Sequence, residues 1–192
     1  MEVTYSKLET VDQCEHWNNH LPLVLMALRE TPSTGTVIEM GMGEGSTLWL
    51  HEYCTNQDRP LLSYDNNPEY FNKFKHLHSS RHHLELITNW ETTPTENVNV
   101  VLIDHAPGER RYLDAIRYKD INGILILHDT EEPPCGGNYD WNKAFIHFKY
   151  FARIKGESLD GVHNGVWATA VSNTHDMSHW VGKTFGKYTI EA

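Results

Sequence analysis

The run Val37-Ile38-Glu39-Met40-Gly41-Met42-Gly43-Glu44-Gly45-Ser46-Thr47, apolar at first and then glycine at every second position, constrains this chain more than any other segment. Residues without a Cβ let the backbone take positive φ and let a ligand lie against the main chain, and a helix that follows offers unpaired N–H groups. The segment reads as a buried strand that hands a polar or anionic small molecule to a helix N-terminus. Its spacing is G-x-G-x-G, whereas the dinucleotide fingerprint G-x-G-x-x-G would place glycine at Ser46. That residue counts against a nicotinamide-dependent oxidoreductase. A tight turn without any ligand is the plain alternative.

The rest of the pattern supports a ligand. Apolar runs at 36–40, 61–65, 84–88, 98–103 and 123–127 read as strands, and helical spacing at 47–54 and 109–118 falls between them. Asn66-Asn67-Pro68 caps a helix running to about Leu77, because Asn favours the N-cap and Pro tolerates the first turn. A helix containing Trp141, Phe145, Phe148 and Tyr150 follows a loop over 131–138, and strands at 153–159 and 165–172 close an antiparallel hairpin across Asp160-Gly161 and Asn164-Gly165. Alternating strands and helices with right-handed crossovers predict an α/β fold: a doubly wound, mostly parallel seven-stranded sheet with a C-terminal antiparallel hairpin and helices on both faces.

One domain is expected over 1–192. Residues 1–30 form an N-terminal helical segment of two short helices interrupted near Pro22, and 174–192 form a C-terminal extension. That extension either covers the sheet edge or packs on a second subunit, which leaves a homo-oligomer open.

Charge narrows the partners. With 26 acidic against 16 basic side chains the formal charge is −10, which repels phosphate backbones and anionic lipid surfaces, so neither nucleic acid nor a membrane is expected. No apolar stretch approaches the roughly 20 residues of a membrane span. Cys14, Cys54 and Cys135 are odd in number and widely spaced, which fits a reducing, cytoplasmic setting rather than a disulfide framework. Cys135 lacks the C-x-x-C spacing of a zinc site.

Polar residues gather at the strand ends, where ligands of such sheets bind. Glu39, Asp65, Thr88-Asn89, Asp104-His105 and His128-Asp129 each follow an apolar run directly. Asp65 comes 20 residues after Gly45, the place of an acidic side chain that accepts hydrogen bonds from ribose hydroxyls, although it could instead cap the helix at Pro68.

Taken in order, Glu39-Met40-Gly41-Met42-Gly43-Glu44-Gly45, Asp65, Asn89, Asp104 and the 123–127 strand with its hairpin resemble the class I S-adenosylmethionine-dependent methyltransferases over residues 36–173. The resemblance implies S-adenosylmethionine as cofactor. It places Glu39, Gly41, Gly43 and Gly45 against the methionine part, Asp65 at the ribose and Asn89 or Trp90 near adenine. Glu39 departs from the more usual aspartate. The segments 103–111 and 127–130 resemble the strand ends of small-molecule and sugar O-methyltransferases, and neither has an Asn-Pro-Pro-Tyr type sequence.

Methyl transfer to a hydroxyl of a small-molecule or sugar acceptor needs alignment and a place for the proton. Asp104, His105 and His128 are the candidate bases. Alternatively, Asp104 and Asp129 hold a divalent cation such as Mg, as the metal-assisted O-methyltransferases permit, or serve only to cap a helix and satisfy loop backbone. Arg110-Arg111 reads as a fork for a substrate anion or as a solvated pair. The aromatic series from Trp141 reads as core. A catalytically inert cofactor-binding module of the same fold, acting through a partner, is the alternative function.

Overall fold

In the computed structural model, residues 19–131, 139–157 and 164–192 are described. The first of the two expected N-terminal helices, Cys14, the 132–138 loop with Cys135 and the turn at Asp160-Gly161 lie outside the described residues. Helix α1 (Leu21–Glu30) leads into β1 (Thr36–Met40), α2 (Thr47–Asn56), β2 (Leu61–Asp65), α3 (Pro68–Phe74), β3 (His82–Leu86) and β4 (Val98–Ile103). Then follow α4 (Arg111–Arg117), β5 (Ile124–His128), α5 (Trp141–Phe145), β6 (Tyr150–Glu157), β7 (Asn164–Ser172), β8 (Thr184–Phe185) and β9 (Tyr188–Glu191).

All nine strands join one sheet in the order β3-β2-β1-β4-β5-β7-β6-β9-β8. Pairs from β3 through β5 are parallel, and those from β5 outward through β7, β6, β9 and β8 are antiparallel. The sheet is thus mixed α/β as expected but has nine strands rather than seven. The additional two come from the C-terminal extension, whose β9 pairs along β6 and covers that edge.

Successive residues of the central strands point to opposite faces, so a strand buried on both sides is largely apolar, and a polar residue within it such as Glu39 or Ser63 is hydrogen-bonded. Val37, Val100, Leu102, Ile124 and Ile126 enter the core shared with α1, while Ile38, Val101, Ile103, Leu125 and Leu127 enter the one beneath α4 and α5. Helix α5 ends at Phe145, earlier than the aromatic series indicates, because Phe148 packs into the core past the helix and Tyr150 already begins β6. Cys54 is a buried free thiol. Among the described residues no helix is long and apolar enough to cross a membrane.

The C-terminal extension belongs to the core. Trp180 is fully buried and donates from Nε1 to Glu30 Oε1 at the end of α1, 3.2 Å away. Trp180→Ala should therefore cost about 3 kcal/mol through the cavity it leaves, read as a lower urea midpoint with unchanged slope.

Candidate functional site

The order of connection reverses between β1 and β4, and a crevice opens at the C-terminal ends of the strands at such a switch point. A cavity of about 480 Å³ sits there, within the usual range for small-molecule sites. Gly41, Gly43 and Gly45 form one wall, Asp65, Asn66, Asn67 and Tyr70 another, and Asp104, His105, Arg111, His128 and His20 close it.

The three glycines have different reasons. Gly41 sits at φ +100°, and a Cβ there would lie 2.6 Å from the Asp104 carbonyl oxygen, so this residue lets β1 and the end of β4 approach. A Cβ on Gly43 would meet nothing closer than 4.0 Å, so its bare main chain opens on free space. Gly43 N–H donates to Thr47 Oγ1 (2.8 Å), and the Thr47 and Ser46 hydroxyls donate to Glu39 Oε1 at 2.9 and 2.6 Å.

Glu39, expected against the ligand, lies beneath the turn with no exposed surface and is absent from the cavity wall. Burial pushes its carboxyl up to about 7 against the pull of those hydroxyls.

Asp65 faces the cavity with each oxygen held by one backbone amide. Met42 N–H donates to Oδ2 and Asn67 N–H to Oδ1, both at 2.7 Å. Carboxylate oxygens accept more than one hydrogen bond each, so capacity remains. Burial raises its pKa while the amides oppose the rise. The cap of α3 is Asn67, whose side chain accepts from Glu69 N–H at 2.9 Å, which leaves Asp65 free of that duty.

Asn89 and Trp90 do not line the cavity. Asn89 accepts from Glu91 N–H (3.0 Å) to start a short 3-10 turn, and Trp90 is buried behind the wall. Its ring stacks on His105 with centroids 4.1 Å apart, and its Nε1 donates to Ala106 O. His105 Nε2 lies 3.0 Å from Asp114 Oδ2, a second anchor.

Asp104, His128 and Asp129 come together as the strand ends predict, with ligand-type atoms within 4.8 Å of one another. Arg111 bridges them, 3.0 Å from Asp104 Oδ1 and 2.9 Å from Asp129 Oδ2, and Arg110 is bound to Asp114. Neither arginine is therefore a free fork or a solvated pair. A divalent cation placed between these carboxylates would face a guanidinium that does not deprotonate, so this donor set does not fit a metal.

His128 Nδ1 lies 3.1 Å from Asp104 Oδ1, and its Nε2 lies 3.0 Å from Asn19 Oδ1. Burial alone would disfavour its charge, but Asp104 and Asp129 outweigh burial and bring it to about 9. Asp104 is held well below the usual carboxylate range by His128 and Arg111 despite its burial.

Asn19 and His20 escaped the sequence reading. Pro22 marks the start of α1, yet nothing local shows that this start lies 109 residues away in sequence from a partner on β5.

No protein-family model matches the sequence, and no curated protein does. Solved structures do. NodS, an N-methyltransferase from Bradyrhizobium japonicum bound to S-adenosyl-L-homocysteine, aligns with TM-score 0.58 at 10% identity over 88% of this chain and 98% of its own. A Klebsiella pneumoniae protein provisionally assigned as an O-methyltransferase gives 0.56 at 14% identity over 83% and 81%. The S-adenosyl-L-homocysteine-bound methyltransferase PaMTH1 of Podospora anserina gives 0.51 at 16% over 80% and 76%. The chain has the class I S-adenosylmethionine-dependent methyltransferase fold.

Proposed function

We propose that this chain is an S-adenosylmethionine-dependent methyltransferase that methylates an oxygen of a small molecule or sugar. The observation that carries this reading is the single cavity shared by the open main chain at Gly43, the Asp65 carboxylate and the Asp104–His128 pair. In it Gly43 and Gly45 would lie against the methionine part of the cofactor. The remaining acceptor capacity of Asp65 suits ribose hydroxyls, and Trp90 backs the adenine side through His105 and Ala106. Bound there, S-adenosylmethionine supplies an electrophilic methyl group on a sulfonium.

The protein's work is then to orient the acceptor and receive its proton. Asp104 and the His128 imidazolium form a fixed ion pair on the acceptor side, and Arg111 balances the second carboxylate, Asp129, so no metal is required. An oxygen acceptor is favoured because the strand end Asp104-His105-Ala106-Pro107 lacks the Asn-Pro-Pro-Tyr type of sequence, and a charge of −10 opposes a nucleic-acid substrate. The odd cysteine count supports a cytoplasmic setting.

Calorimetry with S-adenosyl-L-homocysteine should give a dissociation constant on the order of micromolar, weakened about 100-fold by Asp65→Ala through the loss of two charge-assisted hydrogen bonds. Asp65→Asn, which retains one acceptor oxygen, should fall between them. Absence of binding by the folded wild-type protein would overturn the reading.

A further inference from the structure

We propose that His20 is the group that receives the acceptor's proton, an inference that rests on the methyltransferase reading above. The charged groups at this end of the cavity are engaged with one another: Asp104 with Arg111 and His128, and Asp129 with Arg111 at 2.9 Å and with His128 at 3.5 Å. His128 also has its second nitrogen on Asn19. His105 has Asp114 and Trp90.

His20 differs in having neither an ion pair nor a hydrogen bond at either nitrogen among the described residues, whereas His105 has Asp114 at Nε2 and leaves only Nδ1 unpaired. It lines the cavity with 1% of its surface exposed, its ring meets His128 edge-on with centroids 4.5 Å apart, and neither ring nitrogen has a hydrogen-bond partner among the described residues.

An imidazole buried with both nitrogens unpaired is costly, and such groups occur where something else completes them. It does not serve its own helix either, because at the N-cap of α1 its side chain makes no capping bond. Three groups on different elements face it electrostatically or by contact: His128 from the end of β5, Asp104 beyond β4 and Arg111 from α4, the last through its bond to Asp104. Burial first, then the neighbouring His128 charge, bring His20 down to about 3, with Asp104 opposing. The ring therefore stays neutral, with a free lone pair, across the whole physiological range.

A base this weak suffices for the reaction. As the acceptor oxygen bonds to the methyl carbon, the carbon–sulfur bond breaks and its electron pair goes to sulfur. The O–H becomes strongly acidic as that bond forms, and its proton passes to the unprotonated ring nitrogen of His20. Positive charge thus leaves the sulfonium, which becomes a neutral thioether, and appears on the imidazole. The imidazolium then returns its proton to water once the product has left. His128, already protonated and held by Asp104, is a positioning residue for this step.

The test uses the full chain and separates the two readings. Calorimetry comes first: wild type that binds no S-adenosyl-L-homocysteine overturns the methyltransferase reading, and this proposal with it. In the complex, ¹⁵N spectra of the histidine rings should show His20 neutral and His128 protonated at pH 7. The opposite assignment overturns the role of His20 alone and needs no acceptor.

His20→Gln should bind S-adenosyl-L-homocysteine within about 2-fold of wild type yet transfer labelled methyl about 100-fold more slowly to the hydroxyl probes catechol, glycerol and glucose. Added imidazole should restore part of the rate to His20→Gly. A wild-type rate in His20→Gln overturns the proposal, and if no probe is methylated by wild type the ring protonation states decide it.

Discussion

Gly41→Val should destabilise the protein by about 4 kcal/mol, the sum of a positive-φ penalty and of overpacking against main chain that cannot yield. The cause lies in a crossing of backbones. Gly41 N–H donates to Tyr64 O and Asp104 N–H to Met40 O, which locks the ends of β1, β2 and β4 together. A Cβ at position 41 would meet Asp104 and His105 backbone atoms at 2.6–2.8 Å. Because those atoms carry the cavity wall, binding of S-adenosyl-L-homocysteine should be lost together with stability. Gly43→Ala makes the contrast: its Cβ enters open space, so stability should hold while affinity falls. Urea unfolding and calorimetry on the two variants measure this split. A Gly41→Val protein of wild-type stability would show that the strand ends can separate freely.

Arg59→Met should cost more, about 5 kcal/mol, enough to leave a marginal domain largely unfolded. The guanidinium is buried, and among the described residues it has no carboxylate partner. It donates to Leu28 O (2.9 Å), Thr31 Oγ1 (2.9 Å), Asn99 Oδ1 (2.6 Å) and Gly35 O (3.2 Å). It thereby ties the end of α1 to the turn before β1 and to the start of β4. Methionine matches its length but orphans these acceptors in the interior, at about 1–3 kcal/mol each before relaxation. Arg59→Lys should recover little, since a single ammonium cannot span a fork of four acceptors. Urea unfolding at low and high salt should show the same loss, because the described partners of Arg59 are all uncharged.

Much of this architecture was legible. The bounds of β1, β2 and β4 match the runs read from the sequence residue for residue, because strands buried on both faces are largely apolar and here end abruptly at glycine or aspartate. β3 lies two residues earlier than its apolar letters indicate. It begins with His82, which the strand buries through a 2.8 Å contact between its Nε2 and Ser63 Oγ, and a satisfied polar residue leaves no hydrophobic signature. The two extra strands are short and flank a turn at Gly186, too brief for a periodic signal.

The site was legible where topology alone gathers residues. Asp65, Asp104, His105 and His128 stand at strand ends, and any doubly wound sheet brings such ends to one crevice. The glycine turn was located correctly but its three glycines were read alike, when Gly41 answers to a backbone crossing and Gly43 opens on the cavity. What sequence could not show is the wall built by a remote element. Asn19 and His20 reach the site because α1 lies across β4, β5, β6 and β7, a contact that no local pattern encodes.

That placement of α1 also sets an order in time. The helix is ten residues long, buries every side chain from Leu21 to Leu28, and finds its packing on strands that lie far downstream. Its last residue is held by Trp180, 150 positions later. So short a helix does not persist alone in water, and contacts between remote segments form slowly. As the chain is synthesised, this apolar segment emerges before the strands it packs on and waits for them. Until it docks, its apolar face is open to self-association, and the cavity lacks the wall that carries His20. Completion of the cavity wall therefore waits on the docking of α1, and heat or denaturant that loosens this helix should open the cavity even where the sheet still holds.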